Sequence, residues 1–255
     1  MRTNNCLFHL APNTKIVSAL VFFFLLVSSC ITPLYAHNLW IIGDTDKNGD
    51  GTVHLYFAHH VGPSDGNYLE PIAKRGKTWL QTINVEPNQI KLNEATENGL
   101  KYLKGNIGEI QAPFALDHSS LYGIYHGRLD FFYGRYIQVN KAEELSGLAE
   151  SHHLPFQIVP VGIEKGLLLR VMFFSNPYPR SEVILLASDG TEKKFNTNQK
   201  GEVIIPINKS GTYHFCAYAF EHDAAGVFEY EAFKGIMYGS TLTINFSNDA
   251  KKEPK

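Results

Sequence analysis

"GLLLRVMFFSNPYPRSEVILLASDGTEKKFNTNQKGEVIIPINKSGTYHFCAYAF", Gly166 to Phe220, is the stretch whose reading decides the fold. Its apolar and aromatic runs are short: GLLLRVMFF, SEVILLAS, EKKFNTN, GEVIIPI and GTYHFCAYAF. Between them stand SNPYP, SDGT, NQKG and NKSG, the Gly, Asn, Pro and Ser punctuation that closes hairpins and sandwich corners. Adding "LPFQIVPV", where Pro155 and Pro160 flank an apolar strand, and "STLTINF" gives seven or so strands in roughly 90 residues. That is the size of an immunoglobulin-like β-sandwich, expected here over 155–246.

The same pattern extends upstream. NLWII, TVHLYFAHH, KTWLQTINV, QIKLNEA and SLYGIYHG are candidate strands of a first β domain over 37–140. Only "NKAEELSGLAE", Asn140 to Glu150, reads as a helix, with Asn140 as N-cap and acid in its first turn. It is expected to form a linker helix within 141–154. The chain is therefore expected to be all-β, with two sandwich domains and a solvated tail over 247–255. The 17 Phe and 13 Tyr suit a strand-rich protein.

The first 36 residues have the composition of a cleaved signal peptide. Arg2 and Lys15 precede the apolar core "IVSALVFFFLLVSSCI", which is shorter than the roughly 20 residues of a membrane span, and "TPLYA" follows. Two processing readings compete. Cleavage after Ala36 makes His37 the first residue, whereas "VSSC", Val27 to Cys30, resembles a bacterial lipobox that attaches a lipid anchor to Cys30. Either way the chain is expected to be exported. Cleavage after Ala36 leaves Cys216 as the sole cysteine, expected to be buried inside a strand, so the core must supply stability without an internal disulfide.

Composition also narrows the function. The net charge of -2 becomes about -4 once Arg2 and Lys15 are removed, and no basic cluster lines any face, so no nucleic-acid partner is expected. There is no G-x-S-x-G elbow, H-E-x-x-H helix or phosphate-cradling glycine loop, so no enzymatic role is expected. "DKNGDG" begins like a calcium loop, with Asp46, Asn48 and Asp50 at alternate positions. Phe57 stands where the bidentate acid belongs, which favours a plain polar hairpin turn.

The histidines carry the chemistry. A mature N-terminus at His37 offers an amine, of reference pKa near 7.7–8.0, beside its own imidazole. Nitrogen donors arranged this way suit Cu(II) or Ni(II). If NLWII pairs with TVHLYFAHH so that Gly43 faces Thr52, His37 faces Ala58, within a residue or two of His59 and His60. His60 is the preferred partner, and His126, at the end of SLYGIYHG, is a candidate third ligand. His54 is expected to face outward with Tyr56, while His152, His153 and His222 are expected to be structural or exposed.

The quoted stretch, together with "AHNLW", "HHVGP", "LPFQIVPV" and "YGSTLTINF", resembles a bacterial family of periplasmic nickel or cobalt uptake components. The resemblance covers nearly all of the chain after Ala36. It implies immunoglobulin-like or prealbumin-like sandwiches, a divalent transition metal as cargo and a membrane metal transporter as partner. The family's strand tends to end in H-x-x-P, matched by His60 to Pro63, and often has glycine where His59 stands. The paired N-terminal histidine also looks like the copper brace of lytic polysaccharide monooxygenases and some periplasmic copper carriers. Copper carriage or oxidative chemistry is thus one alternative, and a non-catalytic adhesion or scaffold module is another.

Overall fold

The short apolar runs and polar turns fold into strands that pair mostly antiparallel. A computed structural model describes residues 37–163, 165–187, 191–207 and 211–246; the expected signal peptide, the Cys30 anchor and the tail from Ser247 lie outside them. The first strands are β1 (Asn38–Thr45), β2 (Asp50–Ala58), β3 (Lys77–Thr82), β4 (Asn88–Ile90), β5 (Asn93–Glu97), β6 (Leu100–Glu109), β7 (Phe114–Tyr125) and β8 (Arg128–Val139). Helix α1 (Leu69–Arg75) lies between β2 and β3. After a 3₁₀ helix (Ala142–Leu148) come β9 (Phe156–Ile163), β10 (Leu167–Phe173), β11 (Asn176–Pro177), β12 (Glu182–Leu186), β13 (Glu192–Asn196), β14 (Glu202–Ile205), β15 (Gly211–Phe228) and β16 (Glu231–Phe246). The fold is all-β, as the sequence led one to expect.

An eight-stranded sheet, ordered β13-β12-β15-β16-β8-β7-β3-β4, forms the middle layer. Residue parity shows how both its faces are covered, because successive side chains on a strand point to opposite sides. On β8, Phe132 and Tyr136 join the cores made with β1 and β2, whereas Tyr133, Ile137 and Val139 join the core made with β9 and β10. On β16, Met237 packs with the former, and Leu242, Ile244 and Phe246 with the latter. One face therefore carries the sheet β1-β2-β6-β5, and the other carries β10 with β9, β11 and β14 around it.

This arrangement changes the expected division at 141–154. The two sandwich cores exist, but they share the middle sheet: β16 runs parallel to β8 from Ile236 beside Leu129 to Phe246 beside Val139. The described residues from His37 onward accordingly cluster as one compact unit. A pairing between strands about 100 residues apart leaves no local trace in sequence. The expected linker helix is a 3₁₀ turn fastened to the sheet, with Leu145 and Leu148 buried. Its N-terminus is held by the Glu144 carboxylate, which accepts from the Asn140 and Lys141 backbone N–H groups at 2.8 and 3.2 Å.

A buried ion pair ties the middle sheet to the 3₁₀ turn. Arg135 and Asp117 are both 1% exposed and meet at 2.8 Å. The same guanidinium also donates to the Leu148 carbonyl at the end of the 3₁₀ helix and to Gln81 Oε1 at 3.3 Å. Burying a charge is costly unless it is paired and hydrogen-bonded, so the pair fixes β7, β8 and the 3₁₀ turn in one arrangement.

Candidate metal-binding cleft at the start of strand β1

Strand β1 crosses the middle sheet at close range, and two glycines permit this. A Cβ on Gly134 would lie 2.5 Å from Leu39 Cδ2, and one on Gly43 would lie 2.7 Å from Tyr136 Cε1. Thr241 Oγ1 donates to the Leu39 carbonyl, and Tyr218 Oη donates to Asn38 Oδ1 at 2.5 Å. Asn38 is buried by these contacts. The residue just before it, His37, thus projects from a fixed anchor.

The β1–β2 hairpin sets what His37 meets. Asp46 closes the turn: its Oδ1 accepts from the Asn48 and Asp50 N–H groups at 2.7 and 3.0 Å. The observed register pairs Gly43 with Val53 and Asn38 with Ala58, one residue away from the expected Gly43–Thr52 alignment. Continued by one step, it sets His37 against His59 rather than Ala58. Directly opposed residues share a face. The ring that touches His37 is accordingly that of His59, with centroids 4.6 Å apart, and not that of the preferred His60. His60 lines the same cleft, of about 410 Å³, together with Pro63, Ser64 and Asp65.

Aromatic rings complete the surroundings. Phe57 stacks on His37 at 5.5 Å, and Tyr68 tilts against it at 4.9 Å. The loop that forms the far wall is pinned by Ser64, whose hydroxyl donates to the Phe57 carbonyl at 3.1 Å, and by Asn67, whose amide donates to Asp65 Oδ2 at 2.7 Å. Burial is the main cause lowering the His37 pKa from its ordinary value. A charged His59 would lower it further, and the Asp65 carboxylate opposes both. A neutral imidazole is the form that donates a lone pair to a metal.

His126 sits elsewhere, in the two-residue turn joining β7 and β8, with φ of 50° followed by Gly127 at 75°. Its ring packs edge-on against Tyr125 at 4.2 Å, and Tyr125 in turn meets Tyr68 at 6.3 Å. It does not line the His37 cleft. Among the described residues, no group of three or more His, Cys, Asp or Glu side chains is placed to hold a metal ion. Of the candidate ligands, His37 and His59 face each other, and His60 lines the same cleft.

The remaining histidines are placed by packing. His54 lies on the outer face of β2, stacked on Tyr102 at 5.5 Å and hydrogen-bonded to Tyr56 Oη at 3.1 Å. His153 stacks flat on Trp79 at 4.1 Å, and the exposed His222 stacks on Phe220 at 5.8 Å. Cys216 is buried, which pushes its thiol up to about 12.

Sequence reasoning missed Tyr68 and helix α1, at whose start Tyr68 stands. Pro71 in "LEPIAKR" argues against a helix unless it falls in the first turn, which is where it falls. The available signal was Leu69 and Ile72, three apart and both buried, followed by Lys74 and Arg75 in the last turn. No protein-family model matches the chain, and no curated protein gives a significant match.

Proposed function

We propose that this chain is an exported binding protein that captures a divalent transition metal, nickel or cobalt, at His37 and passes it to a membrane metal transporter. The observation that carries this reading is the contact between the His37 and His59 rings at the mouth of an open cleft. Two side chains make a weak site. Cleavage after Ala36 adds the His37 amine as a third nitrogen, and the amine and imidazole of one residue then form a chelate. The reading draws also on the sequence resemblance and on the signal-like segment before His37.

The cleft suits a cargo site. It is open, so a metal can enter and leave, and Asp65 contributes negative charge without being required as a ligand. No covalent step is needed. Purely nitrogen donors also favour copper, which binds such sets more tightly than nickel or cobalt, and this makes copper carriage the second reading.

Titration of the chain beginning at His37 with Ni²⁺, Co²⁺ and Cu²⁺ tests the proposal. Binding weakened about tenfold or more by His37→Ala and by His59→Ala is the expected result. Equal affinity in the parent and both variants, for every metal, would sink it. The metal retained by protein taken from its own envelope separates the nickel or cobalt reading from the copper one.

A further inference from the structure

Strand β1 has a second end, and a different chemistry collects there. Roughly 25 Å from His37, at about 3.3 Å per residue, the β1–β2 turn and the 110–112 segment rise above β8 and β16 and enclose a cleft of about 630 Å³. Its floor is a polar network in the middle sheet. Tyr136 Oη donates to Gln138 Oε1 at 2.5 Å, and Asn245 Nδ2 donates to the same oxygen at 2.9 Å. Thr212 Oγ1 in turn donates to Asn245 Oδ1 at 3.3 Å. Gln138 and Asn245 are register partners on the parallel pair β8 and β16, so their amides stand side by side.

A sandwich does not need such a floor. Apolar residues of the same shape could fill it without the desolvation cost of a Tyr hydroxyl and two amides. Gln138 Oε1 already accepts two hydrogen bonds, and the half-buried Gln138 keeps its Nε2 as a donor for a ligand. Gln111 adds an amide to the wall.

Charge narrows the ligand further. Asp44 and Asp46 outnumber Lys47 in the lining, which disfavours an anion. One oxygen of each carboxylate holds the turn: Asp44 Oδ1 accepts from the Thr45 N–H at 2.9 Å, and Asp46 Oδ1 accepts from two backbone N–H groups. Among the described residues no third acidic, His or Cys side chain joins them in a group that could hold a metal ion, which disfavours a cation. Asn245 spends both amide hydrogens inside the network, on Gln138 Oε1 and on Tyr136 Oη at 3.4 Å. What remains is a neutral donor, Gln138 Nε2, beside a neutral acceptor, Asn245 Oδ1, with Ala112 and Ile110 as apolar contacts.

We infer that this cleft binds a neutral polyhydroxylated ligand, a saccharide, through Gln138 and Asn245. Hydroxyl groups both donate and accept, so they match side-by-side amides, and the C–H face of a sugar ring matches the small apolar part of the wall. This site is independent of the metal reading, because none of its lining residues lines the His37 cleft.

The test is an NMR titration of the mature chain with glucose, galactose and N-acetylglucosamine, read by amide shifts. Saturable binding of at least one sugar, with a Kd of about 10 mM or tighter, is expected to move resonances at Tyr136, Gln138 and Asn245. Asn245→Ala and Gln138→Leu should each weaken binding about tenfold or more, while His59→Ala leaves it unchanged. Thermal unfolding of each variant establishes that it is folded. Shifts confined to the His37 end, no response to any of the three sugars, or a response to Ca²⁺ alone would each overturn the inference.

Discussion

The two ends of strand β1 are built on opposite plans. At its start, His37 is surrounded by rings, those of His59, Phe57 and Tyr68, which touch it without a hydrogen bond. At its far end, Tyr136, Gln138 and Asn245 are linked by directional bonds. Ring contacts leave an imidazole free to turn toward an arriving ion, whereas an amide network holds its groups in fixed positions. Between the two ends the strand is clamped to the middle sheet by Leu39, Ile41 and the close approach at Gly134. One rigid element thus carries both proposed sites, an adaptable one and a preorganised one.

The most severe way to break this contrast is to remove the frame that both ends share. Asp117→Ala leaves Arg135 as a buried charge without its carboxylate, and is expected to cost about 3–5 kcal/mol in denaturant unfolding. Both clefts should be lost together. A cost below about 1 kcal/mol would show that the pair is peripheral to the frame.

A gentler lesion separates the strand from the sheet. Gly134→Ala drives a methyl group toward Leu39, and overpacking of this kind costs about 1–3 kcal/mol. Amide shifts should change at both ends of β1. Shifts confined to one end would mean that the strand does not act as a single element.

Acid offers a third probe. His118 is buried with its pKa lowered to about 3, and His214 is largely buried with its pKa lowered to about 4, each by desolvation. In the unfolded chain both protonate near 6.5, so below that pH the unfolded state binds more protons. Stability should hold above pH 6.5 and fall with acidification toward pH 4, by at most about 1.4 kcal/mol per pH unit for each ring. Replacing His118 with a neutral residue that keeps the bond to Thr78 Oγ1, as in His118→Asn, should flatten the slope. An unchanged slope would count against this origin.

The smallest expected effect concerns the anchor next to the candidate metal cleft. Asn38→Ala removes the acceptor for Tyr218 Oη and should cost about 1 kcal/mol, with a modest loss of metal affinity and no change at the amide end.

How much of this was legible in the sequence differs between the layers. The hairpins of 166–220 were marked by their turns, because Gly, Asn and Pro act locally. Strand β8, "RLDFFYGRYIQV", sits at the centre of the molecule but was not singled out. It is buried on both faces and so lacks the alternation that marks a half-exposed strand. The long hairpin of β15 and β16 was seen only at its outer portions, since "EHDAAGVFEYEAFKG" mixes charge with small residues where the ladder is irregular. At the candidate metal cleft, the pairing of "AHNLW" with the His59-His60 stretch was readable, and the one-residue register was not. Register depends on how Asp46 folds the turn back on itself. The amide cleft was invisible, since Gln138 and Asn245 become neighbours only through the parallel pairing of β8 with β16.

The most direct measurement compares two forms of the chain that differ by one residue: one beginning at His37, the other retaining Ala36 before it. If the His37 amine is a metal ligand, calorimetric titration with Ni²⁺ should give binding about tenfold or more tighter for the form beginning at His37, and His59→Ala should weaken it. Equal affinity of the two forms would contradict a role for the amine and, with it, the proposed metal site.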